Sequence, residues 1–150
     1  MKKYVLIKGN NFEKLKKELK NNKDKKIIFS SNSDDLNRKI LEKEQIDILL
    51  LNQSLRKDKL KQKNSGFNHI LAKIAKKKNV IIGINLDEIL NSKKKAKAEI
   101  LARVEQNIKL CNKNRLKMKF VFPEKNERSV YDVKALGLVL GMPTWMTKEL

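Results

Sequence analysis

Ile46-Asp47-Ile48-Leu49-Leu50-Leu51, then Ser65-Gly66-Phe67-Asn68-His69-Ile70-Leu71-Ala72-Lys73-Ile74-Ala75, then Val80-Ile81-Ile82-Gly83-Ile84: these three segments decide how the chain folds. The first and third are short apolar runs rich in β-branched residues and read as strands. In the second, Phe67, Ile70, Leu71 and Ile74 recur at i, i+3, i+4, i+7, the buried stripe of a helix that Ser65 opens. Nearly continuous apolar strands around an amphipathic helix imply parallel strands covered on both faces.

The same rhythm extends outward in both directions. Residues 4–7, 26–29 and 118–122 read as further strands, the last ended by Pro123. Helices are expected at 12–19, after Ser33 (Leu36, Ile40, Leu41 inward), briefly at 86–90, and at 92–113. The long helix places Ile100, Leu101, Val104, Ile108 and Cys111 on one face, with Arg103 and Asn107 on its shoulder. Ser129 and Asp132 form a capping box for a last helix that stops near Gly141. No repeat or flexible linker interrupts residues 1–150, which read as a single domain. Right-handed crossovers allow either an open doubly wound sheet or part of a (β/α) barrel. Both bring the strand-to-helix loops to one rim: residues 52–64, the turn near Asn85 and the segment before Ser129.

Charge points to a polyanionic partner. Thirty-six Lys and Arg oppose 17 Asp and Glu, a formal net charge of +19, and such a surplus repels itself unless neutralised. Only five of these are arginines, Arg38, Arg56, Arg103, Arg115 and Arg128. Guanidinium matches phosphate bidentately, so the arginines are the better candidates for specific contacts. The loop Arg56-Lys57-Asp58-Lys59-Leu60-Lys61-Gln62-Lys63 leads into Ser65-Gly66, where a helix N-terminus would favour phosphate. Lys93, Lys94, Lys95 and Lys97 make a second cluster, read as a solubilising face. Aromatic residues are 5% of the chain, too few for a base-stacking platform, so binding should run through backbone charge and RNA shape.

Enzyme chemistry is scarce. One histidine cannot supply the three or more donors a divalent catalytic ion wants. His69 projects with Lys73 and Lys76, opposite the apolar stripe, which suits RNA or water better than a metal. Cys111 faces inward, away from a Cys–His nucleophile role. There is no phosphate-binding glycine loop and no G-x-S-x-G. No apolar run is long enough for a membrane span, and the single cysteine suits a reducing cytoplasm.

Ordered segments over residues 26–142 resemble ribonuclease P protein component 3. These are Leu36-Asn37-Arg38 with Glu42 and Ile46-Asp47-Ile48-Leu49; Arg56-Lys57-Asp58; the run from Ser65 to Ala75; Ile84-Asn85-Leu86; Ile100-Leu101-Ala102-Arg103 to Asn107-Ile108-Lys109-Leu110; Arg128-Ser129 with Tyr131-Asp132; Ala135-Leu136-Gly137; and Leu140-Gly141-Met142. The resemblance implies a TIM-barrel-like fold of the polymerase-and-histidinol-phosphatase type, here an incomplete α/β barrel of parallel strands. It implies a subunit of archaeal ribonuclease P that binds the catalytic RNA and supports removal of 5′ leaders from precursor tRNA. No catalytic residue, cofactor or metal on the protein is implied, since Mg²⁺ is held through the RNA. The implied partners are ribonuclease P RNA, precursor tRNA and the ferredoxin-like protein component 2, in a heterotetramer, with no membrane. The matching positions imply RNA contacts at Arg38, Arg56, Lys57, His69, Lys73, Arg103 and Arg128.

Two departures stand out. Lys59 to Asn64 are inserted between the Arg-Lys-Asp motif and Ser-Gly. Residues 1–25 resemble the family's second βα unit, so the domain is expected to be shortened at its N-terminus, with an unpaired edge covered by Trp145 and the tail or by a partner. The competing readings are a general structured-RNA or ribosome-binding protein and a metal-dependent phosphoesterase.

Overall fold

The computed structural model describes residues 4–122 and 129–150. The chain runs β1 (Tyr4–Lys8), α1 (Phe12–Asn21), β2 (Lys26–Ser30), α2 (Asp34–Lys43), β3 (Ile48–Leu51), α3 (His69–Lys78), β4 (Ile81–Asn85), α4 (Leu86–Asn91), α5 (Lys94–Lys113), β5 (Met118–Val121), α6 (Val130–Val139) and α7 (Thr144–Thr147). The sheet order is β1-β2-β3-β4-β5, every pair parallel. That order chooses between the two architectures the sequence allows. A doubly wound sheet reverses direction at a switch point, whereas here each crossover adds the next strand on the same side, as in a barrel. Among the described residues β1 and β5 do not pair, so the barrel is incomplete. The sheet still curls: Lys119 Nζ of β5 lies 5.9 Å from the centroid of the Tyr4 ring on β1, and Lys26 Nζ lies 5.3 Å from the same ring.

Strand residues alternate between two apolar clusters, as the two-residue period requires. Phe29, Leu49, Leu51, Ile82, Met118 and Phe120 join the larger one, with the helix residues Leu15, Ile40, Ala72 and Ile108. Ile48, Leu50 and Val121, with Leu6, Ile28 and Ile81 packed on them, form a smaller cluster on the concave face. Gly83 sits between these last side chains: a Cβ there would meet Ile48, Val121 and Leu50 at 3.0–3.2 Å.

The predicted caps at Ser33 and Ser129 are present, accepting from the Leu36 and Asp132 N–H groups at 3.3 and 3.2 Å. The expected start of α3 is not. Ser65 caps nothing; Asn68 does, its side-chain oxygen accepting from Leu71 N at 2.9 Å. Gly66, at φ +73°, breaks the helical path before it can begin. Phe67 therefore reaches the core from a loop, and the buried stripe turns to Leu71, Ala72 and Ala75 while Ile70 is 43% exposed. The two alanines let α3 lie close against the core. β3 is also shorter than expected, because Asp47 leaves the strand pattern and its carboxylate accepts from Ile27 N at 2.7 Å.

Trp145 lies at the end of α5, its indole N–H donating to Asn112 Oδ1 at 3.0 Å and its ring 5.7 Å from the Arg115 guanidinium. The tail beyond it reaches the start of β5, where Glu149 pairs with Lys117 at 3.4 Å. Arg128 and Pro123 lie outside the described residues.

Asn68→Ala should lower unfolding free energy by about 1 kcal/mol through loss of the cap, whereas Ser65→Ala should leave α3 capped. Thermal melts of the two variants check this, and equal losses would put the helix start back at Ser65.

Candidate nucleic-acid interface

The rim at the C-terminal ends of the strands is a ladder of amides and hydroxyls. Ser31 Oγ donates to Asn10 Oδ1 at 3.3 Å, Asn52 Nδ2 to Ser30 Oγ at 3.0 Å, and Asn85 Nδ2 to Asn52 Oδ1 at 2.9 Å. Barrel enzymes carry their reacting groups on this end. Here the strand tips present amides and hydroxyls that hydrogen-bond one another across β1, β2, β3 and β4, with the Lys8 ammonium and the Asp87 and Glu88 carboxylates beside them.

Above the ladder lies the long loop between β3 and α3, held by two arginines. Arg56, its side chain 10% exposed, makes a bidentate pair with Asp34 at the start of α2, both N···O distances 2.9 Å, and its Nε donates to Asn52 O at 2.6 Å. A fork-to-fork pair of this kind fixes orientation as well as charge. Gly66 makes room for it: a Cβ there would stand 2.5 Å from Arg56 Nη2 and 2.9 Å from Asp34 Oδ1. Arg103, 2% exposed, enters from α5. It donates to the Asp58 carboxylate at 3.0 Å, to Gln53 O at 2.9 Å and to Arg56 O at 2.8 Å. Glu88 of α4 accepts from the Gln53 and Ser54 N–H groups at 2.7 and 3.1 Å. Gln106 of α5 donates to Lys63 O and Ser65 Oγ, both at 3.2 Å.

Arg103, expected as an RNA contact, is instead a buried clamp: each of its three nitrogens donates inward. Arg56 is largely spent in the same way. The outward charge of the loop comes instead from Lys57, Lys59, Lys61 and Lys63, all exposed, with Leu55 and Leu60 fully exposed beside them. The phosphate-binding helix start proposed at Ser65-Gly66 does not form.

The other candidates fall on two neighbouring surfaces. Arg38 stands one turn beyond Asp34 on the same face of α2, 52% exposed and paired with Glu42 at 2.8 Å. Exposed pairs of this kind contribute only about 0–1 kcal/mol, so the guanidinium can exchange Glu42 for a phosphate at little cost. His69 and Lys73 are exposed on the first turns of α3. His69 lines a groove of about 320 Å³ between α3 and α5 with Gln106, Lys109 and Lys113, three residues the sequence reading missed. The i, i+3, i+7 spacing of those three on α5 was available as a signal. Asp34, Glu88 and the amides of Asn10 and Asn52 were missed too.

Among the described residues no group of three or more His, Cys, Asp or Glu comes together to hold a metal ion. Cys111 is buried, and burial pushes its thiol up, away from the thiolate. Asp58 is held below the ordinary aspartate value, 3.8, chiefly by the Arg103 hydrogen bond and then by the Asn64 N–H at 2.7 Å.

Fold and site together define a barrel-type α/β protein whose loop rim is locked by guanidinium from within and studded with lysine without. In sequence the chain resembles ribonuclease P protein component 3, and in fold a chain of archaeal ribonuclease P. No family model matches it. The protein of that name from Methanococcus maripaludis (strain C7) is 29% identical over 142 residues, covering 94% of this chain and 56% of that protein. Its counterpart from Methanothermobacter thermautotrophicus is 27% identical over 119 residues, covering 77% of this chain and 44% of that protein. Among solved structures, a chain of archaeal ribonuclease P with mature tRNA, determined by cryo-EM, superimposes with a TM-score of 0.78 at 27% identity. That match covers 97% of this chain and 62% of the other. The chain thus spans about half the length of the curated relatives it matches.

Arg103→Ala strips donors from two carbonyls and a carboxylate and should destabilise the protein by about 2–4 kcal/mol, with trypsin cutting first within residues 55–64. Unchanged loop cleavage would remove Arg103 from the clamp. Because the folded Asp58 carboxyl is held low, its contribution is present above pH 3.8 and lost as pH falls through the folded value. The Asn64 amide shift should accordingly titrate with a midpoint below 3.8; a midpoint above it contradicts the contact.

Proposed function

We propose that the chain is a protein subunit of an archaeal-type ribonuclease P, an endoribonuclease whose RNA carries the chemistry. It binds ribonuclease P RNA as a single domain in the cytoplasm and supports removal of 5′ leaders from precursor tRNA. Ribonuclease P protein component 2 is its protein partner, in a heterotetramer with two copies of each. The observation that carries this reading is resemblance to one protein in both sequence and fold over nearly the whole chain, 94% and 97% respectively.

The physical chemistry agrees with it. A rim of unpaired lysines on a clamped loop meets phosphates without first being ordered, so little entropy is lost on binding, and counterion release supplies affinity without sequence readout. The resemblance implies Mg²⁺ held by the RNA and not by the protein. The described side chains offer neutral amides at the rim and no trio of metal donors, so they do not fit a protein-held divalent ion. The protein's part is to neutralise and position. The interface candidates are Arg38, Lys57, His69 and Lys73 directly, and Arg56 and Arg103 through the loop they hold; Arg128 completes the set from the resemblance.

Reconstitution tests the reading. Adding the protein with component 2 to ribonuclease P RNA should lower the Mg²⁺ needed for leader cleavage, and no change would argue against it. Equal affinity for unrelated structured RNAs at matched salt would favour a general RNA-binding role, and cleavage by RNA-free protein would favour a phosphoesterase. Arg38→Ala and Lys57→Ala should each flatten the log K against log[salt] slope by roughly 0.9, with the melting temperature unchanged.

A further inference from the structure

The far end of the sheet carries a cationic feature that the rim does not explain. A cleft of about 740 Å³ opens between the end of α1, the start of β2 and the end of α2. Six lysines line it, Lys16, Lys20, Lys23, Lys25, Lys26 and Lys43, against two carboxylates, Glu44 and Asp47. Asp47 is already engaged by Ile27 N. All six lysines are exposed, and among the described residues none is in an ion pair. The floor is apolar, with Leu19 and Ile27 each 4% exposed.

Helix dipoles account for only part of this. Helices in a βα fold end at this face, and a cation near each C-terminus is favourable. The α2 end, however, is already served by Lys78, whose ammonium donates to the carbonyls of Leu41, Glu42 and Glu44 at 2.8–3.1 Å. Lys43 is surplus to that need, and α1 needs one or two of the remaining five lysines. A one-sign cluster in a concavity with low-dielectric walls concentrates its field and repels itself until an anion enters.

We propose that this cleft is a second phosphate-binding site, taking the phosphodiester backbone of structured RNA at the opposite end of the sheet from the rim. The proposal rests on the RNA-binding reading above. Five-residue strands separate the two sites by roughly 16 Å of sheet before their flanking loops are added. One short run of backbone cannot touch both, so the subunit bridges two RNA segments.

The test compares two variants in salt-dependent binding to ribonuclease P RNA. One carries Lys20→Gln, Lys23→Gln, Lys25→Gln and Lys43→Gln in the cleft; the other carries Lys57→Gln, Lys61→Gln and Lys63→Gln at the rim. All seven are exposed, so both should melt like the parent. The cleft variant should lose roughly 2 to 3.5 units of the log K against log[salt] slope, and the rim variant should lose its own share additively. Lysine acylation read by mass spectrometry should show the cleft amines protected by RNA and not by inorganic phosphate. An unchanged slope in the cleft variant, with the rim variant flattened, overturns the cleft and leaves the RNA-binding reading standing. Protection by inorganic phosphate alone makes the cleft a small-anion pocket and overturns the RNA assignment of this site. If the parent chain binds no RNA at all, the reading under Proposed function falls first and the cleft with it.

Discussion

A single buried guanidinium, that of Arg103, sets the shape of the functional rim. A charge with 2% exposure is tolerable only when its donors are matched, because its desolvation cost is otherwise several kcal/mol. Matching is supplied by the loop itself: two backbone carbonyls and the Asp58 carboxylate. The dependence is mutual. Among the described residues the loop has no β-ladder beyond one isolated bridge, Lys59 to Gln62, and outside the loop the arginine meets Glu99 of its own helix at the longer distance of 3.9 Å. Arg56 repeats the device against Asp34, with Gly66 giving way so that the two can meet. Seventeen residues of connection (52–68) therefore behave as a fixed platform.

That platform divides labour by side-chain type. Arginine, with its planar fork, is turned inward where geometry matters; lysine, a hydrated point charge on a flexible stem, faces outward where only neutralisation is asked. Such a surface offers no readout of base identity and responds to the spacing of negative charges on the polyanion it meets. The rim ladder beneath fits that economy. Where barrel enzymes hold ions and nucleophiles, this chain holds Asn10, Ser30, Ser31, Asn52 and Asn85, groups that satisfy one another across the strand tips.

Much of the architecture was legible from hydrophobic period alone, because strands buried on both faces and one-sided helices leave different marks. The five strands and the shared rim followed from it, and the caps at Ser33 and Ser129 from the polar side chains that precede each helical stripe. Strand order did not, since parallel pairing constrains neighbours without fixing the direction of travel. The start of α3 was misread because Ser65 and Asn68 are both good capping residues, and only the left-handed backbone at Gly66 decides between them. Arg103 was misread for a deeper reason. Its partners are main-chain carbonyls 47 and 50 residues away, and a carbonyl leaves no trace in a sequence. An arginine rare in composition looked like a ligand for phosphate, when the fold uses its fork on carbonyls and a carboxylate.

The winding order of the sheet has a temporal corollary. Because every strand lies beside its predecessor, each βα unit can dock as soon as it leaves the ribosome, without waiting for distant chain. The platform after β3 is the exception. The Arg56–Asp34 pair and the Glu88 contacts can form earlier, but the second arginine belongs to α5, so the clamp is complete only when Arg103 arrives fifty residues after Gln53. Completion of the loop's lysine-bearing face is thereby tied to synthesis of the second half of the chain.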